Sequence, residues 1–199
     1  MKVLVINAGS SSIKYQLLSS DTEEVLAKGL VEKIGLKDSV LTHKANGEKL
    51  VINKEIKDHA EGMELVLNAL QDEKYGVIKD LSEIDAFGHR VLHGGEKYKT
   101  PVLVTKEVCD DIEKLTPLGP LHMPANLLGI RACQKVMPNT PNVALFDTAF
   151  HSTMPAKAFM YAVPYEWYTE NAVRKYGFHG MSHQFIASDV ERLEGRKDL

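Results

Sequence analysis

Three short stretches carry residues that could do chemistry together. Near the start, Val3-Leu4-Val5-Ile6 runs into Asn7-Ala8-Gly9-Ser10-Ser11-Ser12-Ile13-Lys14. Gly9 lets the backbone bend and approach a ligand closely, while N–H groups and hydroxyls supply donors without bulk or negative charge. Such a turn suits an anion, although glycine and serine are also ordinary residues of an empty hairpin turn. Arg90 stands within Gly88-His89-Arg90-Val91-Leu92-His93-Gly94-Gly95, and Asp147-Thr148 follows the apolar run Val143-Ala144-Leu145-Phe146. Phosphoryl transfer needs donors around the phosphates, a cation for the equatorial oxygens, and a carboxylate that holds Mg²⁺ or orients the nucleophile. These are residues of those types. Singly, Arg90 is equally a structural ion-pair partner and Asp147 equally a helix cap. The pairs His89 with His93 and His179 with His183 lack a His-Glu-x-x-His pattern or a supporting carboxylate. They read as hydrogen-bonded histidines, or as donors to phosphoryl charge, rather than as zinc ligands.

The surrounding pattern supplies the elements that would position them. Val3 to Ile6 reads as a strand buried on both faces, Ile13 to Leu18 as a second strand, and Val25 to Val31 as a third, making an antiparallel meander. Val40 to His43 and Leu50 to Ile52 flank Asn46-Gly47, a type I′ hairpin signal, so residues 38–54 are expected as a hairpin excursion from the sheet. Asp58 with Glu61 caps a helix to about Gln71, in which Met63, Val66, Leu67 and Leu70 share a face. Thr105 caps a helix containing Val108, Cys109, Ile112 and Leu115, and Pro117, Pro120 and Pro124 hold an extended loop before the next helix. Pro164 opens a short helix ended by Gly177, and Ser182 is placed to cap a last helix whose Phe185, Ile186, Val190 and Leu193 share a face. Gly195 and a charged tail finish the chain. Strands alternating with helices favour parallel connections, hence an α/β domain with a mixed sheet. In open sheets of this kind ligands collect beyond strand ends, which brings the three stretches to one crevice.

The totals narrow the class. With 24 basic and 27 acidic side chains in 199 residues, the net charge of -3 gives no electrostatic case for nucleic acid or an anionic membrane. Cys109 and Cys133 lack C-x-x-C spacing and read as packing residues of a reduced protein. The opening apolar run is too short for a signal peptide, and the chain is expected to be cytoplasmic.

Five ordered segments resemble the signature of the acetate kinase family: Asn7 to Lys14, Gly88 to Gly95, Pro117 to His122 with Pro124-Ala125-Asn126-Leu127, Phe146 to His151, and Tyr176-Gly177-Phe178-His179-Gly180. Three departures stand out. Leu92 occupies a position where Val is more usual, Gly119 one where Ala is common, and Met123 one where Asn is common. The resemblance runs from Met1 to about Glu194 and covers the N-terminal half of that family's usual chain.

The resemblance implies the fold of the acetate and sugar kinase, Hsp70 and actin superfamily: an α/β, ribonuclease H-like (actin-like ATPase) domain. Its mixed sheet would open in a three-stranded antiparallel meander and be flanked by helices. Residues 1–199 would form the N-terminal domain, with a C-terminal nucleotide-binding domain outside the sequence. The activity implied is reversible transfer of the ATP γ-phosphoryl group to acetate, giving acetyl phosphate and ADP, with Mg²⁺ or Mn²⁺, in a homodimer. By the same resemblance, Asn7, Ser10 and Ser12 lie near phosphates and metal, with Lys14 beside them and Asn7 the metal-side residue. Arg90 would bind acetate and the transferring group, Asp147 would orient substrate or metal, and His179 would stabilise the transition state. Leu92, Leu121 and Phe178 would line the methyl pocket, where Leu92 in place of Val is expected to favour acetate over propionate. A propionate or butyrate kinase is the nearest alternative. A non-catalytic binding or dimerisation fragment is the alternative from another class.

Overall fold

The structure, a computed structural model, describes residues 1–197; Asp198 and Leu199 of the charged tail lie outside the described residues. In chain order the elements are β1 (Lys2–Gly9), β2 (Ser12–Ser19), β3 (Val25–Glu32), β4 (Val40–Ala45), β5 (Glu48–Asn53), α1 (His59–Leu70), β6 (Ala86–Val91), β7 (Val102–Leu103), α2 (Lys106–Lys114), α3 (Met123–Val136), β8 (Asn142–Phe146), α4 (Ala156–Phe159), α5 (Tyr165–Asn171) and α6 (Gly180–Glu194). Short 3-10 turns at Leu81–Glu83, Thr116–Leu118 and Phe150–Thr153 link them. All eight strands form one sheet in the order β5-β4-β3-β2-β1-β6-β8-β7. β1, β2 and β3 make the expected antiparallel meander, while β6 runs parallel to β1, and β8 parallel to β6. The central order β3-β2-β1-β6-β8, with β2 opposed to its neighbours, is the ribonuclease H-like arrangement that the resemblance implies.

The Asn46-Gly47 turn forms as expected, with φ of 53° and 76°, but its hairpin is no excursion. β4 pairs along its whole length with β3, from Ala27 opposite Ala45 to Glu32 opposite Val40. The meander edge would otherwise leave its backbone groups unpaired, and the hairpin satisfies them by extending the sheet.

α1 and α3 pack together on the sheet face that carries Leu4, Ile6, Ala8, Ile13 and Leu17. β1 is therefore buried on one face, with Val3, Val5 and Asn7 only half-buried on the other, rather than on both as its apolar run suggests. A second core joins β6 and β8 to α2 and α3 through Val91, Ile112, Met123, Ile130 and Phe146, with Tyr98 stacked on Phe146 at 4.8 Å. Asp58 Oδ1 accepts the Glu61 N–H at 2.9 Å and Thr105 Oγ1 accepts the Val108 N–H at 3.3 Å, so both predicted caps form. Ser182 is not a cap. α6 begins at Gly180, because the Gly180 N–H donates to the Asp147 carbonyl at 2.8 Å and His179 turns the chain with φ of 55°. Phe185, Ile186, Val190 and Leu193 of α6 are exposed. Ala172, at φ of 55°, rather than Gly177, ends α5. No helix among the described residues is long and apolar enough to cross a membrane.

Candidate active site

Parallel pairing brings the expected residues to one edge of the sheet. Ile6 lies opposite His89, and Val91 opposite Phe146, so Asn7, Arg90 and Asp147 fall at adjacent strand ends. A cleft of about 560 Å³ opens there. Asn7, Ser12 and Lys14 of the first hairpin line one side, Arg90 and His179 supply nitrogen groups, and Leu92 and Phe178 provide apolar wall. The hairpin itself is tight: Gly9 pairs with Ser12, leaving Ser10 and Ser11 as the turn.

Arg90 is held by a charge-assisted fork. Its Nη2 donates to Asp147 Oδ2 at 2.7 Å, and its Nε lies 3.1 and 3.2 Å from Oδ1 and Oδ2. Asp147 is 1% exposed whereas the Arg90 side chain is 36% exposed, so the carboxylate is anchored in the interior and presents the guanidinium to the cleft. That carboxylate hydrogen bond raises the Arg90 pKa further, and the Nη1 donors stay uncommitted to Asp147. His179 Nδ1 stands 3.3 Å from Arg90 Nη2 and 3.9 Å from Asp147 Oδ2. The arrangement concentrates positive charge and donors beside an apolar wall, which suits an anion carrying a short apolar tail.

Phe178 and His179 are placed by their own loop. Gly177 adopts φ of 76°, and a side chain there would stand 2.5 Å from the His151 ring, so only glycine fits. His151 Nε2 donates to the Phe178 carbonyl at 3.0 Å. Behind Phe178 lies His93, in edge contact with Phe178 at 5.7 Å and with Tyr176 at 4.3 Å. Burial lowers the His93 pKa to about 4, and its Nδ1 accepts the Gly95 N–H at 2.9 Å. His89, also lowered to about 4 by burial, donates from Nε2 to Asn142 Oδ1 at 2.7 Å. Both are neutral structural groups at neutral pH. Their spacing in the sequence pairs His89 with His93, but the two make separate contacts.

Two residues without a role assigned from sequence prove central to the geometry. Asn126, in the first turn of α3, donates from Nδ2 to the Ala8 carbonyl and accepts the Leu92 N–H at Oδ1, both at 3.0 Å. It thereby ties the first hairpin to the wall carrying Leu92, beyond the point where the β1–β6 ladder ends. His59, buried at the start of α1, donates from Nε2 to the Gly9 carbonyl at 2.7 Å. Asn126 sits inside one of the signature segments, but its partners are remote in sequence. His59 has only its place after the Asp58 cap as a signal.

Three expected site residues fall outside the cleft lining. Ser10 is exposed at the hairpin tip, and Leu121 is 82% exposed in the turn before α3. Asp147 is buried behind Arg90, its carboxylate on the guanidinium and its carbonyl on the Gly180 N–H. Among the described residues no group of three or more His, Cys, Asp or Glu is arranged to hold a metal ion. Asn7 and Ser12 instead offer neutral, hard oxygens, which fit a Mg²⁺ ion whose remaining ligands are substrate phosphate oxygens and water.

Comparison with known proteins places the chain in a family. Acetate kinase of Thermotoga petrophila is 57% identical over 197 residues, covering 99% of this chain and 49% of that protein. Acetate kinase of Finegoldia magna is 57% identical over 199 residues, covering 100% and 51%. The chain thus spans about half the length of the curated relatives it matches. Among solved structures, Porphyromonas gingivalis acetate kinase superposes with a TM-score of 0.94 at 47% identity, over 98% of this chain and 49% of that one. A propionate kinase from Francisella tularensis gives 0.92 at 38% identity, over 99% and 50%. Residues 2–198 match the acetokinase family, and the chain, which shares the fold of these kinases, belongs to that family.

Proposed function

We propose that the full-length protein to which these residues belong transfers the ATP γ-phosphoryl group reversibly to acetate, giving acetyl phosphate and ADP, and that this chain forms the acyl and phosphoryl side of its cleft. A carboxylate oxygen of acetate attacks the γ-phosphorus as the bond to the ADP oxygen breaks. Acetate is already ionised, so no general base is required, and the protein's contribution is positioning and charge stabilisation. Arg90 binds the carboxylate and the equatorial oxygens of the transferring group, held in place by Asp147. His179 donates to the same developing charge. Asn7, Ser12 and Lys14 contact phosphates, with Ser10 at the hairpin tip a weaker contributor, and Leu92 and Phe178 enclose the methyl group. Mg²⁺ or Mn²⁺, held by Asn7 and Ser12, would neutralise phosphate charge when bound. The same reading carries a cytoplasmic homodimer whose second, nucleotide-binding domain lies outside this sequence, acting on small molecules and not on nucleic acid or a membrane.

The single observation that supports this most is the Arg90–Asp147 fork opening onto a cleft with hydroxyl and amide donors on one side and Leu92 and Phe178 on the other. Likeness to a propionate kinase favours propionate as the second reading. The test is acyl phosphate formation, trapped as the hydroxamate, from acetate, propionate and butyrate. It is run on these 199 residues and on the full-length protein with intact masses determined. Turnover is expected from the full-length protein, with these residues alone contributing negligible rate. Absence of acyl phosphate from both would favour a binding or dimerisation module.

A further inference from the structure

The three departures from the family pattern meet at one contact. Gly119 follows the Thr116–Leu118 turn and precedes α3, outside the cleft lining. A methyl group at Gly119 would stand 2.7 Å from Leu92 Cδ2 and 3.1 Å from Met123 Cγ. Apolar carbons pack at about 3.5–4.0 Å, so an alanine at 119 cannot coexist with Leu92 in its present place. Gly119 has φ of -158°, outside the left-handed region that favours glycine, and the close approach of Leu92 is what bars a side chain. The Leu92 backbone is pinned by Asn126, which leaves the Leu92 side chain as the part able to yield. Met123 is fully buried, and its Cγ at 3.1 Å is the lesser conflict beside Leu92 Cδ2 at 2.7 Å. The open side of Leu92 is the cleft.

We infer that Gly119 is a positioning residue for acceptor specificity: the missing side chain lets Leu92 lie back against the 119–123 turn, and this sets the length of carboxylate chain that fits beside Phe178. The inference rests on the carboxylate kinase reading. It also changes the expectation drawn from Leu92 alone. The larger side chain at 92 need not tighten the pocket, because the smaller one at 119 takes up the difference behind it.

In the full-length protein, Gly119→Ala is expected to push Leu92 into the cleft and lower the propionate-to-acetate ratio of kcat/KM by about tenfold, through KM more than kcat. Leu92→Val added to Gly119→Ala removes the clashing methyl and is expected to restore the ratio to within about twofold of the unmodified protein. An unchanged ratio in Gly119→Ala, or no recovery in the double variant, would overturn the proposal. Should Gly119→Ala alone not fold, the double variant decides: recovered folding with an unmodified ratio supports the contact, and a double variant still unfolded refutes it. Thermal unfolding gives a readout that needs no catalysis. Gly119→Ala should lower Tm and lose more stabilisation by added propionate than by added acetate, and both losses should reverse with Leu92→Val. Additive changes in Tm would sink the coupling. An unmodified protein inert towards every carboxylate, with the Tm coupling intact, would instead remove the functional reading and keep the contact.

Discussion

Replacing Asp147 by Asn asks whether this carboxylate works on the metal or on Arg90. Asn keeps the volume but removes the negative charge, and its amide nitrogen cannot accept from the Arg90 fork. Removing one partner of a fully buried ion pair costs about 3–5 kcal/mol. Asp147 is 1% exposed but the Arg90 side chain is 36% exposed, so solvent takes over part of the guanidinium and the expected loss of stability is about 1–3 kcal/mol. The kinetic effect should be larger in proportion. Displacing a positioned group by about an ångström costs on the order of 10²-fold in rate, and without both hydrogen bonds to Asp147 the guanidinium loses its fixed direction. The assay is acyl phosphate formation by the full-length protein across a Mg²⁺ titration, with denaturant unfolding run beside it. The expected outcome is a kcat lowered about 10²-fold with an unchanged Mg²⁺ half-saturation, and a double variant with Arg90→Ala that is no slower than Arg90→Ala alone. A kcat within about threefold of the unmodified protein would refute the positioning role. So would a Mg²⁺ half-saturation shifted about tenfold with kcat preserved, since Asp147 would then be acting on the metal.

Arg90→Ala alone should remove about 10³-fold or more of kcat in the same assay, because it takes away the cation facing the transferring group. Asn126→Ala leaves the Ala8 carbonyl and the Leu92 N–H without their partner, and each unsatisfied buried group costs about 1–3 kcal/mol, which urea unfolding would register. Asp58→Ala should cost about 1 kcal/mol by uncapping α1. Stability should also fall on acidification. His89 binds its proton at about 4 when folded but near 6.5 when unfolded, so the unfolded chain takes up protons first as pH drops. Stability is full above about pH 6.5 and is lost between there and about 4, by roughly 3 kcal/mol for His89. His89→Gln should flatten that part of the profile, and a slope unchanged by the substitution would show that another group sets it.

The parts of the fold legible in the sequence are those written in local chemistry. Asn46-Gly47 needs positive φ at both positions and forms the hairpin, and Asp58 and Thr105 cap the helices they precede. The parts missed depend on partners distant in the chain. Asn46-Gly47 says nothing about which strand β4 will join, and β7, two residues long, carries no pattern to read. Ser182 has a good capping side chain, but the bond from Gly180 to the Asp147 carbonyl sets the start of α6 earlier. In the candidate site, Asn7 and Asp147 announce themselves as polar residues after apolar runs, and Arg90 as a lone cation within one. The commitment of Asp147 to Arg90 and the bridging by Asn126 do not, because each spans a large sequence separation. Leu121 shows the converse: a matching residue in a matching segment that stands 82% exposed and outside the cleft lining.

Asn126 has a consequence for how the cleft can move. A single amide spans the end of β1 at Ala8 and the backbone of Leu92, and its own backbone belongs to α3, which is packed against both cores. The first hairpin and the wall carrying Leu92 are therefore parts of one jig. If the proposed function holds, any opening or closing of the cleft must leave the spacing between them unchanged, because it is preset by the seating of one helix.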